Sequence, residues 1–425
     1  MNQIKSSIGL YKLGENYMKN RNISFSPPDI SKSDIEAVTE ALKSGWITTG
    51  PQTKLFEKEI SKYLGTNHTV ALNSCTAGLE LTLRILGVGE GDEVIVPAYT
   101  YTATAAVVNH VGAKIVMVDT KPDSFEMDYD NLRNKINSKT KVIIPVDIAG
   151  IPCDYDKIFK IVKEFRKEFE PKTEIQQVYD RIIIVADAAH SFGAIYKDKR
   201  IGNVADFTSF SFHAVKNLTT GEGGAVTWKS KEGLNEEKLY EDFMLYSLHG
   251  QSKDALSKNR AGQWEYDIVA PLYKCNMTDI AASIGRKQLE RYSQFLHRRK
   301  EMIEQYNRYF SNEELFSIPK HYSRDKQSSG HLYLLRIKEI QENDRNKIIE
   351  KMAEKGIATN VHYKPLPLLT AYKDLGFNIN EFPNAMNQYK NEISLPLHTS
   401  LSNEDVDYIA TSLKEIVEGV KQSVQ

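Results

Sequence analysis

The amino-acid sequence predicts an α/β protein: a large domain with a mostly parallel sheet between helices, followed by a smaller C-terminal α+β domain. Two observations carry this. Short β-branched runs, "HTVALNS", "DEVIVPA", "AKIVMVD", "KVIIPVD" and "RIIIVAD", recur between helix-length amphipathic intervals, the alternation expected of buried parallel strands joined by crossover helices. From His331, a strand "HLYLLRI", a helix near Asn343 to Lys355, a strand "IATNVHY" and a last helix opening near Ser402 then suggest a second, compact lobe. With 425 residues, 41% of them hydrophobic, the chain is long enough for a large core and a smaller partner. The large domain is expected over residues 1–265, with an N-terminal arm over 1–30, and the smaller one over 266–425.

Taken in chain order, several strands end in polar or small residues: Asn73 and Ser74, Pro97 and Ala98, Asp147, and Asp187. Open α/β sheets bind ligands at such strand ends. In "ALNSCTAGLELTLRIL", small residues open a helix, whose free N–H groups and positive dipole end suit a phosphate; Ser and Thr are also ordinary N-caps. "PAYTYTATAAVV" puts Tyr101 just beyond a strand, where a ring stacks on a planar ligand or fills core space. The charged run Lys163 to Asp180 reads as a surface helix plus loop.

In "IIIVADAAHSFGA", Asp187 follows a wholly apolar strand, so its carboxylate needs a cationic or hydrogen-bonding partner, unless it caps the next helix. His190 is either a ligand contact or a satisfied core histidine. "FTSFSFHAVKNLTTGEGG" feeds a strand-like run, Phe207 to Phe212, into a loop closed by Gly221, Gly223 and Gly224 that carries Lys216. A lysine amine is a useful nucleophile only when burial or a nearby cation lowers its basicity, and its signature product is a Schiff base; otherwise Lys216 is a surface lysine.

Composition narrows the partners. The 55 basic and 56 acidic side chains leave a net charge of -1, which gives no field toward nucleic acid or an anionic membrane. Cys75, Cys153 and Cys275 form no CxxC pair and no disulfide or zinc pattern, favouring a reducing cytoplasm. The opening residues hold no signal-peptide run, and nowhere do about 18 apolar residues follow one another as a membrane span requires.

A helix N-terminus for phosphate, an aromatic for a ring face, an aspartate for a ring nitrogen and a lysine for an aldehyde, in that order, make a pyridoxal 5'-phosphate site. The sequence resembles the DegT/DnrJ/EryC1/StrS family of sugar aminotransferases, within the fold type I pyridoxal phosphate enzymes. The likeness runs from "SGWITTGP" through "SCTAG", "ADAAH", "SFHAVKNLTTGEGG", "KCNMTDIAASIG" and "VHYKPLP" to "EISLPLH".

The resemblance implies that Lys216 binds the cofactor aldehyde and moves the proton, Asp187 holds the ring nitrogen, and Tyr101 covers the ring. It further implies that Thr76, Ala77 and Ser211 contact the phosphate and that His190 lies near the ring oxygen. Lys274 and Asn276 match residues that reach the cofactor phosphate of a neighbouring subunit, hence a homodimer with shared sites; "YKCNMTD" departs there from the commoner "YNYRMT". Trp46, Thr49 and Gly50 match the loop lining the sugar side. His362 matches a substrate-binding histidine, with Pro367 where relatives often carry a second one.

The implied reaction moves an amino group from L-glutamate to C4 of a nucleotide-linked 4-keto-6-deoxy sugar, carried on UDP or dTDP with UDP favoured, for surface polysaccharide or glycoconjugate precursors. C3 amination and a cofactor-binding regulator without turnover are the alternatives. Metal-dependent hydrolysis through Asp187 and His190 lacks a third ligand.

Overall fold

The structure, a computed structural model, describes residues 21–252 and 265–422. Residues 1–20 of the expected arm, and residues 253–264 just ahead of the expected domain boundary, lie outside the described residues. Each of the five apolar runs is a strand: β1 (Thr69–Leu72), β2 (Glu93–Pro97), β3 (Lys114–Val118), β4 (Thr140–Ile143) and β5 (Ile183–Asp187). A small ribbon of β6 (Ile195–Tyr196) and β7 (Lys199–Arg200) precedes β8 (Phe207–Ser211) and β9 (Gly224–Trp228). The main sheet has the order β1-β9-β8-β5-β4-β2-β3. Strands β3, β2, β4, β5 and β8 pair in parallel, and β9 alone runs against its neighbours.

Alternation within the strands explains why they read as unbroken apolar runs. Val94 and Val96 enter one core, with Val70, Leu72, Ile183 and Val185. Ile95 enters the other, with Ala71, Ile184 and Ala186. Successive side chains point to opposite faces, and helices cover both faces, so neither register is polar.

Four helices set up the region around the strand ends: α1 (Lys32–Lys43), α2 (Pro51–Leu64), α3 (Cys75–Ile85) and α4 (Ala103–His110). Ser74 caps α3 by accepting the Ala77 N–H at 3.1 Å. Further along, α5 (Asp279–Glu290) packs on α1 and α2, and α6 (Tyr292–Phe310) follows it. Asp279 accepts the N–H groups of Gly50, Gln52 and Thr53 at 2.8–2.9 Å, an anion at the positive end of α2.

After short strands β10 (Phe316–Ser317) and β11 (Lys326–Gln327), the C-terminal sheet runs β10-β12-β13, antiparallel, with β12 at Tyr333–Ile337 and β13 at Glu392–Leu395. Its core takes Ile393 and Leu395 together with apolar residues of α6, α7 (Glu342–Glu354) and α8 (Asn403–Gln422). The expected strand "IATNVHY" is a correction: Ile357 bridges only Ile23, and Asn360 only Ser394. Its backbone is diverted by a side chain, because the His362 N–H is taken by the Glu392 carboxyl at 3.0 Å. The charged run 163–180 is also less peripheral than expected. Phe169 is buried, Lys172 pairs with Asp92 at 2.6 Å, and Gln176 Nε2 donates to the Leu86 carbonyl at 2.8 Å. Among the described residues, no helix is long and apolar enough to cross a membrane.

One glycine fixes how closely β9 meets α3. A Cβ on Gly224 would lie 2.3 Å from Ser74 C, 2.4 Å from Cys75 N and 2.7 Å from Phe210 O, all backbone atoms that cannot rotate away. Gly224→Ala is therefore expected to cost about 1–3 kcal/mol in denaturant unfolding. Gly221→Ala, at φ +81 with open space around it, is expected to cost about 1 kcal/mol from backbone strain alone.

Candidate active site

The carboxyl ends of β1, β2, β5 and β8 converge on a cavity of about 360 Å³. Ser74, Cys75 and Thr76 line it from the start of α3, Tyr101 and Ala103 from the loop after β2, Asp187, Ala189 and His190 from the end of β5, and Ser211 and Lys216 from the segment after β8. His362 and Tyr363 reach it from the C-terminal region.

Asp187 is buried at the end of the central strand. Its Oδ2 accepts from Thr104 Oγ1 at 2.7 Å and its Oδ1 from the Ala189 N–H at 3.2 Å, with Cys75 Sγ 3.8 Å away. Burial still dominates and raises its carboxyl above the ordinary range, against the opposing pull of Thr104, Ala189 and the Lys216 charge. The group is thus short of positive charge. The expected capping role is absent, since no helix follows β5.

Lys216 sits on a turn closed by its own N–H to the His213 carbonyl at 2.9 Å. It is half-buried and lines the cavity. Burial lowers its basicity to about 8, although Cys75 and Asp187 act to raise it. At pH 7 roughly one amine in ten is then neutral, against fewer than about one in a thousand for an ordinary lysine.

His190 Nδ1 accepts the Ala149 N–H at 3.2 Å, which leaves the ring proton on Nε2, 3.0 Å from the Tyr363 hydroxyl. Burial, then the Lys216 charge and His362, keep it neutral by lowering its basicity far below the usual value. His331 packs on it at 4.4 Å and contacts Asn217 Oδ1 through Nδ1 at 3.0 Å.

The sequence-derived candidates divide into two groups. Thr76, Tyr101, Asp187, His190, Ser211, Lys216 and His362 all line the cavity, and Ala77 stands behind it, its N–H spent on Ser74. Trp46, Thr49, Gly50, Lys274 and Asn276 are not among its lining residues. Trp46 Nε1 donates to the Thr49 carbonyl at 3.0 Å, Thr49 Oγ1 to the Met277 carbonyl at 2.6 Å, and Gly50 N to Asp279. Asn276 bonds Thr49 and contacts Lys274. These five make a second cluster beside the end of β1, where the Asn73 N–H donates to the Cys275 carbonyl at 2.8 Å.

Thr104 and Tyr363 were not among the residues singled out from the sequence, and Cys75 entered only as part of the helix opening. Thr104 had a local signal, standing three residues after Tyr101 and so within a helical turn of it; Tyr363 had only its place beside His362 in "VHYKPLP", because its partner is 173 residues away. Thr104→Val removes a hydrogen bond to the ionised form of Asp187. We expect a loss of about 1–3 kcal/mol in unfolding free energy near pH 8. The folded carboxyl is already raised and rises further in the variant, so the deficit widens as pH increases through the carboxyl's raised range and shrinks in acid. Denaturant unfolding at several pH values checks this.

Known proteins share this fold. Spr1654 of Streptococcus pneumoniae, described as a sugar aminotransferase, superimposes in its PMP form with a TM-score of 0.92 at 54% identity, covering 94% of this chain and 100% of that one. Its PLP form gives 0.91 at 53%, with the same coverage. Helicobacter pylori PseC, an aminotransferase involved in the biosynthesis of pseudoaminic acid, gives 0.82 at 29% identity over 94% of this chain and all of that one. The spore coat polysaccharide biosynthesis protein SpsC of Bacillus subtilis is 36% identical over 405 residues, 94% of this chain and 98% of the relative. The family model for DegT/DnrJ/EryC1/StrS aminotransferases matches residues 28–414, and the chain belongs to that family.

Proposed function

We propose that the protein is a pyridoxal phosphate-dependent aminotransferase that moves an amino group from L-glutamate to C4 of a UDP-linked 4-keto-6-deoxy sugar, in the making of a surface polysaccharide or glycoconjugate. The observation that carries it is the pairing, across one cavity, of a lysine of lowered basicity with a buried carboxylate short of positive charge. Spr1654 solved in both PLP and PMP forms, together with the polysaccharide and sugar-acid pathways named for SpsC and PseC, supports the cofactor and the substrate class.

The cavity residues fit the cofactor. Gly224 leaves β9 tight against the start of α3, so Ser74, Thr76 and Ser211 surround a helix N-terminus suited to a phosphate. Asp187 would hold the protonated ring nitrogen, whose charge offsets the cost of burying the carboxylate. Tyr101, 60% exposed on the cavity's outer wall, would cover the ring, and neutral His190 would stand at its ring oxygen. When bound, pyridoxal phosphate supplies an aldehyde that exchanges amino groups and a ring that draws electrons from the reacting carbon.

The protein's own part is positioning and proton transfer. Lys216 Nζ would hold the cofactor through its aldehyde and, once free, would take up and return the proton as general base and general acid. Its lowered basicity lets one nitrogen do both near neutral pH. Donor and acceptor use the cavity in turn. Lys274, Asn276 and the loop of Trp46, Thr49 and Gly50 lie outside their own chain's cavity, which supports a homodimer in which this cluster serves the partner's site.

Four outcomes test the proposal. L-glutamate should change the visible spectrum of the cofactor-loaded protein and release 2-oxoglutarate, while Lys216→Ala binds cofactor and shows neither; an unchanged wild-type spectrum would favour the regulator. Capture of pyridoxal phosphate by cofactor-free protein should accelerate as pH rises through about 8, because the neutral Lys216 amine is the reactive form, then level off. Mixing Lys216→Ala with Lys274→Ala subunits should restore part of the activity that each lacks. Product NMR with UDP-linked 4-keto and 3-keto sugars separates C4 from C3 amination.

A further inference from the structure

The polar alternation of β13 points away from its own core. Ile393 and Leu395 enter the C-terminal core, while Glu392 and Ser394 share the opposite face with no exposed surface. That face meets the segment carrying His362. Glu392 Oε2 accepts the His362 N–H at 3.0 Å, Glu392 Oε1 lies 2.6 Å from Ser394 Oγ, and Ser394 Oγ lies 2.8 Å from His362 Nδ1. The Tyr99 hydroxyl donates to the His362 carbonyl at 3.0 Å, and Phe25 stacks on the ring at 5.4 Å, so the imidazole is fixed on its other sides. Its Nε2 has no hydrogen-bond partner among the described residues, and His362 lines the cavity that holds Lys216.

We propose that Glu392 is a positioning residue which, through Ser394, decides the ring nitrogen of His362 that carries the proton, and so whether His362 presents a donor or an acceptor to the cavity. With Glu392 protonated on Oε1, that proton is donated to Ser394 Oγ. The Ser394 hydroxyl then donates to His362 Nδ1, and Nε2 carries the ring proton as a donor. Loss of one proton reverses the chain: Oε1 gives its proton to Ser394 Oγ, Ser394 gives its own to Nδ1, and Nε2 releases one to the cavity. Nε2 is then a bare acceptor. The ring stays neutral throughout, since burial and then the Lys216 charge lower its basicity to about 4.

The groups facing Glu392 set where the change falls. Arg345 on α7 bonds the Glu392 carbonyl at 3.2 Å, Arg336 pairs with it in register on β12, and Tyr99 and Tyr363 face it as neutral phenols. Burial outweighs the hydrogen bonds from Ser394 and His362 and the pull of Arg345, and raises the Glu392 carboxyl to about 8. Near neutral pH His362 therefore offers an N–H. That suits the carboxylate of an amino donor or the ketone oxygen of the acceptor, a consequence that rests on the transamination reading.

The test reads His362 itself. Cofactor-loaded enzyme labelled with 15N in its histidine rings is titrated from about pH 6.5 to about 9.5 by NMR, with His362→Asn identifying the resonances. The Nε2 signal is expected to pass from the protonated to the bare position with a midpoint near 8, and this transition is lost in Glu392→Gln and, independently, in Ser394→Ala. A wild-type tautomer that does not change with pH, or a transition that persists in either variant, overturns the proposal. The glutamate response recorded on the same samples tests the transamination reading separately.

Discussion

A carboxylate at the end of the central strand, out of water and without a full complement of donors, is the constraint around which the rest is arranged. Asp187 keeps its place because Thr104 and the Ala189 N–H share its two oxygens and because Lys216 is near. Each comes from a different connection of the sheet: the helix after β2, the turn after β5 and the loop after β8. An isolated buried carboxylate is costly, and partial compensation keeps it ready for a cationic ligand. The same burial that raises the Asp187 carboxyl lowers the basicity of Lys216 and His190, so one enclosed environment shifts a carboxyl, an amine and an imidazole together.

Close backbone approach builds the opposite wall. Gly78 lets α3 lie against Ser209, and Gly224 lets β9 lie against Ser74 and Cys75. The single reversed strand is thus packed directly beneath the helix N-terminus, where a wider contact would leave the N–H groups further from the lysine loop. The glycines of "GEGG" read from sequence only as loop formers; in the folded chain one relieves a left-handed turn and another a steric contact.

The C-terminal lobe contributes chemistry as well as bulk. β13 divides its side chains between the lobe's core and a polar face turned to His362. That division also explains the one strand the sequence misplaced. "IATNVHY" has strand-like composition, but a buried carboxyl takes a backbone donor from it and holds it at the cavity instead.

Local sequence determined the elements and much of the site. Five β-branched runs became five strands, and seven of the thirteen candidate residues line one cavity, six of them because strand ends in a doubly covered sheet fall on a common edge and His362 because the C-terminal region reaches that edge. The remaining positions rest on contacts across long stretches of chain, which leave no periodicity to read. Tyr363 meets His190 across 173 residues, and Thr49 meets Met277 across 228. The sequence specified which groups the protein owns; tertiary packing decided which of them lost water, and so which are neutral, charged or bare where the cavity opens.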